Sequence, residues 1–360
     1  MSATGTAPSM SPRLSFVLPR ELEATEPAEA RGAARDGVRM LVAARSTGEL
    51  THSTCADLPH FLHAGDLVVI NTSAVIPAAI EGTAAGRQLA IHLSTHLSES
   101  AGRGEPDRWV VEPRHIVGNT TMRWGCDTVP RAIELGPDAS LQLVEPYLGS
   151  DRLWVAELRL PAPTLDWLNA NGQPIRYSYV EQPWPLSAYQ NVYSIEPGSA
   201  EMPSAGRPFT AELITRLVSQ GVDITPIVLH TGVASLESDE LPYPERVHVP
   251  AATAARVNLA RANGGRIIAV GTTAVRALES AAGCNGEVHE LDGWTDLVIT
   301  PERSVCVVDG LITGWHEPEA SHLLMLEAIS GRPLLEASYA ASIAGGYRWH
   351  EFGDIHLIVP

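Results

Sequence analysis

Lysine is missing from this 360-residue chain. Its 25 basic residues are all arginine, set against 42 Asp and Glu, for a formal charge of −17. Such a balance weighs against an extended basic surface for a nucleic-acid backbone, though it leaves room for a local basic patch. Cysteine is scarce too. Cys55, Cys126, Cys284 and Cys306 stand apart with no Cys-x-x-Cys pair, which argues against a cysteine zinc site or a disulfide framework and fits a reducing compartment. No run approaches the roughly 18 consecutive apolar residues of a spanning helix, so no membrane partner is expected. The opening "MSATGTAPSMSPR" lacks the apolar centre of a signal peptide and reads as a disordered tail over 1–13. A cytoplasmic protein is the expectation.

What is present is ordinary globular material, 44% hydrophobic and 19% charged, of a length that suits about two domains. "GVRMLVAAR" and "GDLVVIN" are strand-like runs introduced by Gly. From 78 to 185 the texture changes. Short β-type pieces ("RQLAIHLST", "DRWVVEPR", "SLQLVEPYL", "RLWVAELRL") alternate with turn residues and predict a small inserted β-barrel. Beyond it strands and helices alternate: "TAELITRLVSQG" as a helix with a Gly stop, "DITPIVLHTG" as a strand, "PAATAARVNLARANGG" as a helix. Further strands are expected near "TDLVIT" and "SVCVVDG", and helices at "HLLMLEAISG" and "LLEASYAASIAGG". The fold expected is α/β, a mixed and largely parallel sheet with helices over 14–77 and 186–360, interrupted by the barrel.

The stretch "RIIAVGTTAVRALESAA" concentrates the chemistry. Ile267 to Val270 read as a short buried strand, and Val275, Leu278 and Ala282 recur at helical spacing after Gly271. Thr272 and Thr273 are N-cap candidates. A strand, a Gly turn and a helix start aim several free amides at one spot, which favours an anion. Arg276 and Glu279, three apart, share a helix face and are placed to pair or to bracket a ligand. The same residues also suit an ordinary capped βα unit with a surface ion pair.

Seven ordered segments, among them "YQNVYS", "PSAGRPFT", "IVLHTGVASL", "RIIAVGTTAVRALES" and "VVDGLITGWHEPEASHLLMLEAISG", resemble those of the S-adenosylmethionine:tRNA ribosyltransferase-isomerase family of queuosine biosynthesis. The resemblance covers most of the chain and is thinnest in the β-rich insert. It implies an α/β domain with an inserted barrel. The implied reaction transfers and isomerises the ribosyl part of S-adenosylmethionine onto an aminomethyl-deazaguanine in tRNA, releasing adenine and methionine, with no metal or redox cofactor. Such chemistry needs a base near the C5′ carbon, help for departing adenine and donors for the methionine carboxylate. On this resemblance His316, His230 and Asp309 are catalytic candidates. Gly271, Thr272, Thr273, Arg276, Glu279, Tyr189, Gln190 and Arg207 are substrate-binding candidates.

The chain also departs from that pattern. An Asp and two Arg of the family's "NDTRVIPAR" are here Thr72, Ala74 and Ala79, and a His is Pro208, beside the new Arg207. In "LITGWHEPEAS" an apolar residue has become Glu317 and a Lys has become Glu319. Losing basic residues and gaining acidic ones lowers affinity for a phosphate backbone. Two alternatives therefore stand beside a tRNA acceptor: a small-molecule acceptor, or a non-catalytic protein that retained the nucleoside pocket.

Overall fold

Apolar runs of four or five residues become the buried centre of one sheet, and alternating runs become the barrel. The computed structural model describes residues 13–97, 106–118, 120–124, 129–233 and 242–360. Apart from Arg13, the tail expected over 1–13 lies outside them, as does Cys126.

Four strands come first: β1 (Arg39–Ala44), β2 (Leu50–Thr54), β3 (Leu67–Asn71) and β4 (Ser73–Val75). The β-rich region supplies β5 (Ala79–Ala84), β6 (Arg87–His96), β7 (Asp107–Val117), β8 (Thr120–Arg123), β9 (Ala132–Gly136), β10 (Ala139–Pro146) and β11 (Trp154–Arg159), then helix α1 (Thr164–Asn171). Next come β12 (Glu196–Ser199), α2 (Ala211–Ser219), β13 (Asp223–Leu229), β14 (Glu245–Val249), α3 (Ala251–Ala262) and β15 (Ile267–Val270). The chain closes with α4 (Thr272–Ser280), β16 (Leu291–Thr295), β17 (Gly310–Gly314), α5 (Ser321–Ser330), α6 (Arg332–Ala344) and β18 (Ile355–Val359).

Nine strands form one sheet in the order β16-β14-β13-β3-β15-β17-β18-β1-β2. The centre, β13-β3-β15-β17, is parallel, and so is β18-β1; the other four pairings are antiparallel. The sheet is therefore mixed, with its parallel character concentrated in the middle. β3 and β15 are buried at every position, because helices cover both faces. Side chains of α3, α4, α5 and α6 pack on one face, and α2 with the turn Cys55–His60 on the other. α2 shows the local logic. Thr210 Oγ1 accepts from the Leu213 amide at 3.1 Å, and Leu213 and Leu217 are fully buried. Each such leucine contributes up to about 1.5–3 kcal/mol of burial. Pro226 sits inside β13 without breaking the ladder, since pairing with β14 begins only at Val228 and Thr253 Oγ1 donates to the Pro226 carbonyl at 2.6 Å.

Two sequence expectations fail here. "TDLVIT" and "SVCVVDG" do not themselves form strands: β16 ends at Thr295, where the first run starts, and β17 begins at Gly310, where the second ends. Their apolar side chains Ile299, Val307 and Val308 bury in the core beside α4 residues, while their backbones run irregularly. The partners that make this possible are side chains of α4, described below.

In the barrel, β5, β6, β7, β9, β10 and β11 close a six-stranded ring through β7–β11 pairing, and β8 pairs with the far end of β7. β10 alternates as a barrel strand must, with Ala139, Leu141 and Leu143 inward. Trp167 and Leu168 of α1 join the same core. The barrel strands span 79–159. Among the described residues no helix is long and apolar enough to cross a membrane.

Candidate active site

The four parallel central strands all end on the same side of the sheet. Beyond their carboxyl ends lie Ser73–Val75, Thr231–Gly232, Gly271–Thr273 and Trp315–His316, and α/β sheets place ligands at this edge. A cavity of about 330 Å³ occupies the position, bounded by these segments, by Ser94, Thr95 and Arg152 of the barrel, and by Tyr177 and Tyr179 of the segment that follows α1. Its size falls in the roughly 300–1,000 Å³ range of small-molecule sites.

The α4 N-terminus opens into this cavity. Gly271 is the N-cap with φ of 91°, a left-handed conformation that turns the chain sharply from β15 into the helix. Thr272 and Thr273 are therefore the first helical residues and neither caps the helix, which corrects the sequence expectation. The first amides of a helix have no intrahelical acceptor. Thr273 Oγ1 is buried and has no hydrogen-bond partner among the described residues.

Arg276, one turn on, faces the cavity wall but is already engaged. Its Nε donates to the Leu297 carbonyl at 2.9 Å and Nη2 to the Tyr243 and Thr295 carbonyls at 3.0 and 3.1 Å; Nη1 pairs with Glu245. Burial pushes the Glu245 carboxyl up, with the Arg276 charge opposing it. Glu279 does not pair with Arg276. Its carboxylate accepts the amides of Cys306, Val307 and Val308 at 2.8, 2.9 and 3.1 Å and stays off the cavity. Together these two charged side chains replace the ladder that the 295–308 segment does not make.

His316 lies on the cavity wall. Its Nε2 is 3.0 Å from Thr313 Oγ1, its amide donates to Tyr339 Oη at 3.3 Å, and its ring stacks on His322 at 4.6 Å. Burial, reinforced by the neighbouring His322, His356 and His350, holds its pKa well below the ordinary histidine value. His322 is likewise lowered to about 4, chiefly by burial and then by Arg276. Both imidazoles are therefore neutral at pH 7. His322 and His350 also line the cavity.

The remaining candidates fall elsewhere. Tyr189 lines the cavity, but Gln190 clips the backbone of Val75, accepting from its amide at 3.0 Å and donating to its carbonyl at 2.8 Å. Arg207 is a buried strut: Nε donates to the Ala188 carbonyl and Nη2 to both oxygens of Glu29. Asp309 accepts the Ile267 amide at 2.9 Å, aligning β15 with β17. His230 sits just behind Thr231 and Gly232, with Nδ1 at 2.7 Å from Ser73 Oγ. A side chain at Gly198 would begin 2.6 Å from its ring, so only glycine allows this fit. None of Gln190, Arg207, Asp309, Glu279 or His230 lines the cavity; each is held by backbone or neighbouring side chains instead.

Sequence reasoning missed Tyr177, Tyr179 and Glu351. Tyr177 pairs with Glu201, and Tyr179 donates to Glu351 at 2.6 Å while stacking on His350 at 3.9 Å. The alternation in "RYSYV" was the available signal, since residues two apart in an extended chain share a side.

A parallel sheet centre ending at a covered cavity, with a helix N-terminus and neutral histidines on its wall, belongs to an α/β enzyme that handles a small polar ligand. Comparison with known proteins specifies which kind. Residues 12–358 match the family described as queuosine biosynthesis protein. The S-adenosylmethionine:tRNA ribosyltransferase-isomerase of Desulfitobacterium hafniense is 34% identical over 356 residues, 96% of this chain and 98% of that protein. The protein of the same name from Acaryochloris marina is 35% identical over 340 residues, covering 91% and 88%. The crystal structure of an S-adenosylmethionine tRNA ribosyltransferase from Thermotoga maritima is similar, with a TM-score of 0.54 at 28% identity, covering 96% of this chain and 99% of that one. The chain belongs to the queuosine biosynthesis protein family.

Proposed function

We propose that this enzyme transfers and isomerises the ribosyl moiety of S-adenosylmethionine onto an aminomethyl-deazaguanine in tRNA, releasing adenine and methionine. The observation that carries the reading is the meeting of the α4 N-terminus, the unpartnered Thr273 hydroxyl and neutral His316 in one cavity at the ends of the parallel strands. In this reading the methionine carboxylate lies against the amides at Thr272 and Thr273, where the helix dipole favours an anion. Arg276 acts by holding the wall, with its charge already matched by Glu245. His316 takes the C5′ proton, which the adjacent sulfonium acidifies. The relatives' names carry tRNA, and none supports the small-molecule acceptor that the acidic balance suggested.

Incubation with S-adenosylmethionine and tRNA bearing the aminomethyl base tests this. Free adenine and methionine, with a matching mass gain on that base, are expected only when the tRNA is present. Release of adenine without tRNA modification would move the acceptor to a small molecule, and binding without any release would leave a nucleoside-binding protein.

Thr273→Val gives a finer test. It removes a hydroxyl that has no partner among the described residues, so the melting temperature is expected to hold or rise. Affinity for S-adenosylmethionine is expected to fall by about 10-fold, the loss of one hydrogen bond to a charged group. Calorimetry showing unchanged affinity would take Thr273 out of the site.

A further inference from the structure

Three side chains from distant parts of the sequence converge beside the cavity, two of them, Glu317 and His350, on its wall. His350 Nε2 lies 3.4 Å from Glu317 Oε1 and 3.8 Å from Glu23 Oε1. One ligand-type atom from each residue lies within 4.8 Å of the other two. The His350 side chain is only 7% exposed, and Nε2 is buried with no hydrogen-bond partner among the described residues. A buried ring nitrogen aimed between two carboxylates, yet outside hydrogen-bond range of one and at its margin with the other, is unfinished as a protein-only arrangement.

The spacing suits a cation instead. Donors about 2.0–2.2 Å from a shared tetrahedral centre sit roughly 3.3–3.6 Å from one another; His350 to Glu317 at 3.4 Å meets this, and Glu23, 3.8 Å from His350, needs only a small inward shift. Two carboxylates and a neutral imidazole balance a double positive charge. One nitrogen and two oxygens match Zn²⁺, Mn²⁺ or Fe²⁺ better than Mg²⁺, which keeps to oxygen and retains its waters.

The backbone holds the three residues in place. The Trp349 amide donates to the Leu22 carbonyl at 2.8 Å and the Ala24 amide to the Trp349 carbonyl at 3.2 Å, fixing Glu23 beside His350. The His350 ring is pinned by Tyr179 stacked upon it at 3.9 Å. Glu317 directly follows His316 and lines the cavity with His350.

We propose that Glu23, Glu317 and His350 form a binding site for a first-row divalent transition-metal ion at the cavity wall. With three protein donors the ion keeps a coordination position for water or a ligand oxygen. The proposal stands apart from the reaction proposed above, and its test does not read turnover.

Full-length protein stripped with a chelator is titrated with Zn²⁺ in a calorimeter, with Mn²⁺ and Mg²⁺ alongside. One Zn²⁺ per chain at about 1 µM or tighter is expected, with Mg²⁺ much weaker. Glu317→Gln and His350→Asn are each expected to weaken Zn²⁺ at least about 10-fold. Asparagine suits position 350 because φ there is 71°. Thermal melts confirm folding, and Glu23→Gln serves should either variant fail to fold. Anomalous diffraction at the zinc edge should place the ion among the three donors. No saturable binding at about 100 µM, wild-type affinity in the folded variants, or an ion found elsewhere would overturn the site.

Discussion

Replacing His316 by alanine is expected to lower kcat by about 10²–10⁴, or roughly 2.7–5.5 kcal/mol of barrier, with KM for S-adenosylmethionine little changed. His316 is suited to act as the base by its place just past β17, its neutral state and its neighbours. Thr313 Oγ1 and the His322 ring fix the imidazole plane, and the Tyr339 hydroxyl takes its amide. Burial first, and then three neighbouring histidines, hold its pKa below the ordinary value. A base must be deprotonated to work, so the sign is definite: the acid limb attributable to His316 in the kcat profile lies well below pH 6.5. A variant with kcat within about threefold of wild type would remove His316 as the base, and an acid limb at pH 6.5 or above would contradict its buried environment.

Arg276→Ala is expected to cost about 3–5 kcal/mol of stability, because it strands a buried carboxylate and frees three carbonyls at once. The side chains of Arg276 and Glu245 are 7% and 18% exposed, so solvent screens the loss little. Domains are stable by only about 5–15 kcal/mol, so a large downward shift of the urea midpoint is expected. Arg276→Lys is expected to recover little, since one ammonium cannot reproduce a planar fork reaching Glu245 and the carbonyls of Tyr243, Thr295 and Leu297. Adding Glu245→Gln to Arg276→Ala is expected to restore part of the loss by removing the unpaired charge. A cost below about 1 kcal/mol for Arg276→Ala would mean that the 243–245 and 295–297 segments are held by something else.

α4 shows both what its sequence carries and what only packing decides. Its existence after the Gly turn and its buried face at Val275 and Leu278 were legible, because they follow from short-range rules: an apolar run, a glycine and helical periodicity. Its ends were not, since the N-cap falls on Gly271 and Ala282 lies past the C-cap Ala281. Nor were the partners of Arg276 and Glu279. Spacing alone allowed an ion pair across one turn, but both side chains serve chain segments up to 33 residues away in sequence. The two false strand assignments have the same origin. Ile299, Val307 and Val308 are buried, and burial normally demands a ladder; here a guanidinium and a carboxylate from a helix take backbone carbonyls and amides of these segments instead.

By itself the sequence determined an α/β domain interrupted by a small barrel, the family, and the turn that aims a helix start at one edge of the sheet. These depend on patterns that repeat every two or 3.6 residues and on ordered motifs. Only the tertiary structure decided which polar residues reach the cavity. It turned Arg207, Gln190, Asp309 and Glu279 into struts for backbone groups, and brought Tyr177, Tyr179, His322, His350 and Glu317 to the wall. The physical reason is that a buried donor or acceptor must find a partner in space, whatever its distance along the chain.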